Sequence, residues 1–253
     1  GVRRAEHAID GFRIAIARRP WLRWLLPALL ALAGGSLVGM GVGAAIHMPK
    51  VETLAEFRPS LVTRLQDREG EVFTTYARER RELLAEGEMP PLLQGAVLAA
   101  EDADFFRHGG IDVVGVARAV LVNFQRGRRA QGASTITMQL ARKLFLTPQK
   151  SWQRKIEEAL LAVELEKSLS KQQILTLYCN LSFLGHGNYG MQSASRYYFG
   201  KPVAELGAAE AATLAGILQR PSEYSPYRRP ELVTRRRNYV LDRMLAEGYL
   251  DPA

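Results

Sequence analysis

The sequence predicts a mainly α-helical domain with a small β-hairpin near its start, preceded by one transmembrane helix. Three observations carry that prediction. Trp24 to Ile46 runs for 23 residues without a charge, and about 20 apolar residues suffice to cross a bilayer. Beyond residue 90 the apolar side chains recur at helical spacing between proline and glycine breaks. Leu61 to Tyr76 reads instead as two short strands around an Asp67–Gly70 turn.

The first 23 residues form a basic tail. Arg3, Arg4, Arg13, Arg18, Arg19 and Arg23 face only Glu6 and Asp10, so half of the formal charge of +8 sits there. Arginines ahead of an apolar span keep a tail cytoplasmic and place the residues beyond the span on the outer side. A cleaved signal peptide fits poorly, because the apolar run is too long and no convincing cleavage site precedes His47. Residues 47–60, with Pro49 and Pro59, suit a linker. Residues 61–253 then form one exported domain.

Within that domain, Pro90 and Pro91 open a helix at its first turn, where proline is tolerated, and it runs to Glu101. Ile111 to Phe124 forms a second helix, with Val113, Val114, Ala117, Val120 and Leu121 at helical spacing. A basic, glycine-containing loop follows, Gln125 to Gly132. Ser134 to Phe145 resumes a helix, capped by Ser134 or Thr135. Another covers residues 154–168. Ser170 and Gln173 make a capping box for a helix reaching about Asn180. Residues 185–190 form a loop, and further helices lie near 191–199, 205–219 and 230–246.

The chemistry centres on Glu101 and Asp102, which end an apolar helix. A carboxylate there is costly to ionise, and a raised pKa suits acid–base work near neutrality. Alone, the pair reads more readily as a surface Glu-Asp closing a helix. On helix 154–168, Glu158 has Leu161, Ala162 and Leu165 on its face, whereas Glu157 and Glu164 share a solvated stripe. Arg142, Lys143, Lys150, Arg154 and Lys155 add a cationic stretch that fits a diphosphate as well as a solvated face.

Other classes lack support. One cysteine, Cys179, excludes an internal disulfide framework. There is no Walker loop or serine-nucleophile elbow, and Gly185-x-Gly187-x-x-Gly190 follows no predicted strand and so is not a dinucleotide fingerprint. The charge excess at the tail argues against nucleic acid. His108 with Asp102 and Asp104 reads as a metal ligand set or a structural histidine.

Several blocks fall in a known order. They are Glu101-Asp102-x-x-Phe105-x-x-His108-x-Gly110, Gly132-x-Ser134-Thr135-Ile136-Thr137-x-Gln139-Leu140 and Arg154-Lys155-x-x-Glu158. Ile174-Leu-x-x-Tyr178-x-Asn180, Gly187-x-Tyr189-Gly190 and Arg220-Pro221-x-x-Tyr224-x-Pro226 complete the series. Together they resemble the peptidoglycan glycosyltransferase domain, glycosyltransferase family 51, of class A penicillin-binding proteins and monofunctional transglycosylases.

The resemblance implies a lysozyme-like, two-lobed helical fold and polymerisation of lipid II into β-1,4 glycan strands with inversion. The site would be the outer face of the bacterial cytoplasmic membrane. It implies Glu101 as general base and Glu158 as second essential carboxylate. Lys155 and Lys150 would bind the donor diphosphate, beside Arg154. Ser134, Thr135, Gln139 and Arg142 would line the donor site, with Asp102 supporting Glu101. Partners are lipid II, the growing glycan, the bilayer, moenomycin-type inhibitors and other cell-wall synthesis proteins, without nucleic acid. The one cofactor the resemblance raises is a divalent ion, Mg2+ or Mn2+, which some members place at the diphosphate.

The chain departs from the family pattern at Lys143, commonly asparagine, and at Lys150, frequently arginine. Leu181 stands where an acid is frequent, and Cys179 replaces a leucine. A glycan-cleaving enzyme or an inactive scaffold of the same fold are the alternatives. Gly1 in place of methionine suggests a piece of a larger class A protein.

Overall fold

The computed structural model describes Pro27, residues 31–32, 34–36, 39, 63–66, 68, 72–76, 80–126, 132, 134–146 and 152–251. The chain divides into two units, residues 1–48 with 151–157 and residues 49–150 with 158–253.

In the first unit, the seven described residues between 27 and 39 are helical and exposed. The rest of the expected span 24–46 lies outside the described residues, as do the basic tail and linker 47–60. Among the described residues no helix is long and apolar enough to cross a membrane.

The second unit opens on the expected hairpin. β1 (Thr63–Gln66) pairs antiparallel with β2 (Val72–Tyr76), Thr63 opposite Tyr76, with a register shift between Leu65 and Gln66. β3 (Arg80–Arg81) pairs in parallel with β4 (Asn188–Tyr189). The expected loop over 185–190 is therefore corrected at its end, where two residues are strand. The Arg81 guanidinium lies 5.0 Å from the Tyr189 ring centroid, so a cation–π contact reinforces this short ladder.

The rest is mainly helical. In chain order come α1 (Pro91–Glu101), α2 (Val113–Arg126), α3 (Ile136–Phe145) and α4 (Trp152–Ser168, in this unit from residue 158). Then follow α5 (Lys171–Leu181), α6 (Met191–Phe199), α7 (Ala208–Ile217) and α8 (Pro230–Ala246). Local chemistry sets the ends. Pro90 is the N-cap of α1 with Pro91 at its first position. Thr135 caps α3 through Met138 N–H, and Ser170 with Gln173 forms the expected box on α5.

α7 packs against both α1 and α8, and α3 against α5. α7 can sit so close because Ala211, Ala212, Ala215 and Gly216 bury small side chains. Leu93, Ala96 and Val97 of α1 are fully enclosed, so the helix carrying Glu101 is held by the core along its length.

α2 begins at Val113 rather than Ile111, and its stripe faces outward. Val113, Val114, Val120, Leu121 and Phe124 are 72%, 68%, 65%, 60% and 86% exposed, while Ala119 is buried. Periodicity specified one apolar face but not what that face meets.

The turn between α1 and α2 depends on Gly110, which has φ +91° and would place a Cβ 2.8 Å from the Ala162 carbonyl oxygen. Its carbonyl accepts from Thr135 Oγ1 at 2.6 Å. A side chain there meets both the left-handed penalty and backbone of α4. Gly110→Ala should cost about 2 kcal/mol, read as a lower denaturant midpoint at unchanged m-value. An unchanged midpoint would refute this account.

Candidate active site

Glu101 ends α1, where an apolar helix delivers a carboxylate to the wall of a cavity of about 750 Å³. Asp102, Ser134, Thr135, Gln139 and Arg142 line the same cavity. Six of the ten candidate residues are thus brought together.

Gln139 Nε2 donates to Glu101 Oε2 at 2.8 Å. The other oxygen, Oε1, is enclosed and has no hydrogen-bond partner among the described residues. Burial raises the Glu101 pKa above its ordinary value of 4.5, assisted by Asp102. The bond from Gln139 and the charges of Arg236 and Lys143 pull it back down. A bare oxygen on a carboxylate held between these influences has the form expected of a proton acceptor.

Asp102 does not face the cavity alone. Its Oδ2 accepts from Ile136 N–H at 2.9 Å at the start of α3, and His108 Nε2 lies 3.1 Å from both carboxylate oxygens. An anion at a helix N-terminus is favoured by the orphan N–H groups and the dipole. His108 is therefore structural in this arrangement. Among the described residues no group of three His, Cys, Asp or Glu could hold a metal ion.

Glu158 is fully buried, and Arg142 Nη1 lies 3.8 Å from its Oε1. The expectation of a partly buried acid at 158 understates this burial, and Glu157, expected on a solvated stripe, is half-buried. Glu164 instead pairs with Lys167 at 2.9 Å, 42% exposed. Arg154 and Lys155 are half-buried on the first turn of α4, within the first unit. Lys150 lies outside the described residues.

Residues that sequence reasoning missed also face the cavity. Arg236, Tyr239 and Arg243 reach it from α8, and Arg236 lies 4.7 Å from the Tyr239 centroid. A signal existed, since Arg236 falls in step with buried Val233, Val240 and Met244. A cation on an apolar stripe usually has a partner to meet. Tyr178, on α5, donates to Gln139 Oε1 at 3.2 Å.

The transglycosylase family model matches residues 69–245. The chain is 40% identical over 228 residues to penicillin-binding protein 1A of Aquifex aeolicus, covering 90% of this chain and 31% of that one. It is 44% identical over 219 residues to penicillin-binding protein 1A of Neisseria cinerea, covering 86% and 27%. The crystal structure of penicillin-binding protein 1A from Haemophilus influenzae is 23% identical with a TM-score of 0.43, covering 77% of this chain and 19% of that one. That overlap is too loose to bear on the fold. The chain spans less than a third of the length of these curated relatives.

Proposed function

The chain belongs to the transglycosylase family, and from that premise we propose that it is the peptidoglycan glycosyltransferase domain of a class A penicillin-binding protein. Its reaction is the polymerisation of lipid II into β-1,4 glycan with release of undecaprenyl diphosphate. The lysozyme-like two-lobed fold and the boundaries 1–23, 24–46, 47–60 and 61–253 belong to this reading.

The observation that carries the mechanism is the unpaired Oε1 of Glu101 on the cavity wall. In the proposed step the acceptor hydroxyl gives its proton to Oε1 as its oxygen attacks the donor anomeric carbon. The diphosphate departs from the opposite face, which inverts an α-linked donor into a β-linkage. A diphosphate is already a good leaving group and needs positive charge rather than a proton. This is the difference from ordinary glycoside hydrolysis, where a second carboxylic acid protonates the leaving oxygen. Arg142 and Arg236 bring that charge to the cavity. Lys150, Arg154 and Lys155 are assigned the diphosphate by resemblance. Glu158 is the second essential carboxylate in this reading, fixing Arg142 from beneath.

Ser134, Thr135 and Gln139 form the donor wall, and moenomycin would compete there. Among the described residues no group of three His, Cys, Asp or Glu could hold a metal ion by itself, and no step here is routed through a metal. Incubating the protein with lipid II and following polymer and free undecaprenyl diphosphate tests the reading. Failure to form polymer, or release of reducing ends from preformed glycan, would overturn it.

The same reading places the domain on the outer face of the bacterial cytoplasmic membrane, single-pass, with the tail inside. The apolar run 24–46 supports this, and so does the outward stripe of α2. An apolar helix face of that kind suits the headgroup–acyl boundary. Replacing both Leu121 and Phe124 by Asp should slow polymerisation of bilayer-embedded lipid II by at least about a hundredfold, given roughly 1.5–3 kcal/mol for fully burying each side chain. Turnover of a short-chain, water-soluble lipid II analogue should hardly change. An equal loss on both substrates would refute the membrane contact.

A further inference from the structure

Glu101 is reached from α5 by a chain of contacts. Tyr178 Oη donates to Gln139 Oε1 at 3.2 Å, and Gln139 Nε2 donates to Glu101 Oε2 at 2.8 Å. A side-chain amide has one accepting end and one donating end. The carboxylate only accepts and so takes the donating end of Gln139, and the phenol, by donating to the carbonyl end, holds the amide in that orientation. Turned over, Gln139 would set its carbonyl oxygen against Glu101.

Tyr178 is itself fixed. It is 1% exposed, and Lys143 Nζ lies 4.3 Å from its ring centroid, within cation–π range. The same ammonium donates to Ser182 Oγ, and Ser182 donates to the Tyr178 carbonyl. Lys143 is exposed as a residue, yet its charged end is turned inward to these groups. Burial draws its pKa down to about 8, opposed by the attraction of Glu101.

We propose that Tyr178 and Lys143 are positioning residues for Glu101, holding Gln139 in the one orientation that occupies Oε2 and leaves Oε1 for the acceptor proton. The inference rests on the reading of Glu101 as the base. Lys143 adds a cation where the family pattern commonly has asparagine, so this support differs from that pattern. The other charged groups acting on the carboxylate are Asp102 beside it and Arg236 on α8, while Arg142 on α3 and Cys179 on α5 act on Lys143 and Tyr178. Of the charges acting on Glu101, Asp102 opposes ionisation, while Arg236 and Lys143 favour it.

The test measures kcat, KM and the pH profile of kcat/KM with the full chain and lipid II. Tyr178→Phe should lower kcat roughly five- to tenfold, the worth of one hydrogen bond, with KM changed less than about twofold. Its acidic limb should move to higher pH, because the bond favouring the charged carboxylate is no longer enforced. Lys143→Met should move the limb the same way, and Lys143→Arg should restore it. In a Gln139→Ala background, Tyr178→Phe should cost nothing more, as expected for two links of one chain. An unmoved limb in both single variants, or an undiminished loss in the Gln139→Ala background, overturns the proposal. Retention of polymerisation by Glu101→Gln would instead overturn the base reading, so the two failures are distinct.

Discussion

Glu101→Gln is expected to stop polymerisation while making the protein more stable at neutral pH. The substitution keeps the shape and keeps an oxygen to accept from Gln139 Nε2, but removes the lone pair that would take the proton. A positioned general base contributes roughly 10²–10⁴-fold, so the residual rate should fall by at least that factor with donor binding largely kept. Stability moves the other way. Burial raises the Glu101 pKa above 4.5 in the folded protein, so between 4.5 and that raised value the folded state holds more protons than the unfolded one. Stability then falls as pH rises through this window, and at neutral pH an ionised, desolvated carboxylate is retained. Glutamine carries no such penalty. The variant should melt higher than the parent at pH 7 and converge with it below about pH 4.5, where both forms are uncharged. A polymerisation rate within tenfold of the parent would sink the base assignment. A lower melting point at pH 7 would sink the account of burial.

The features legible in the sequence were those written locally. The prolines ahead of α1, the Ser170–Gln173 box and the glycine breaks set element ends close to where the sequence placed them. The carboxylate at the end of α1 was legible for the same reason. The β3–β4 ladder was not, because two-residue strands carry no alternation and their partners stand over a hundred residues apart. The direction of the α2 stripe was not legible either, since a helical period is blind to whether core or solvent lies opposite. The site was readable on α1 and α3 and partly hidden on α5 and α8. Tyr178 reaches Glu101 only through Gln139, and Arg236 only across the fold; the stripe position of Arg236 signals a buried cation without saying what it meets.

Asp102→Ala tests how Glu101 is held, and its expected effect on stability is the largest among these substitutions. Asp102 caps the end of α1 with its own N–H on the Leu98 carbonyl, while its carboxylate takes the first N–H of α3 and the His108 ring. The aspartate side chain is 5% exposed and the histidine 8%, so water cannot replace the lost bonds. Truncation strands two buried donors, each costing about 1–3 kcal/mol, and removes the anion that complements the α3 N-terminus, for a total of about 3–5 kcal/mol. In a chain of this size that lowers the melting temperature by roughly 10 °C. Asp102→Asn separates charge from connection. It retains an oxygen for the Ile136 N–H, so its melting temperature should lie nearer the parent. It also removes the neighbouring anion that raises the Glu101 pKa, so the acidic limb of kcat/KM should move to lower pH. A parent-like melting temperature for Asp102→Ala would mean that α1 and α3 are joined by packing alone. Glu101 would then owe its placement to the apolar face of its helix rather than to the carboxylate beside it.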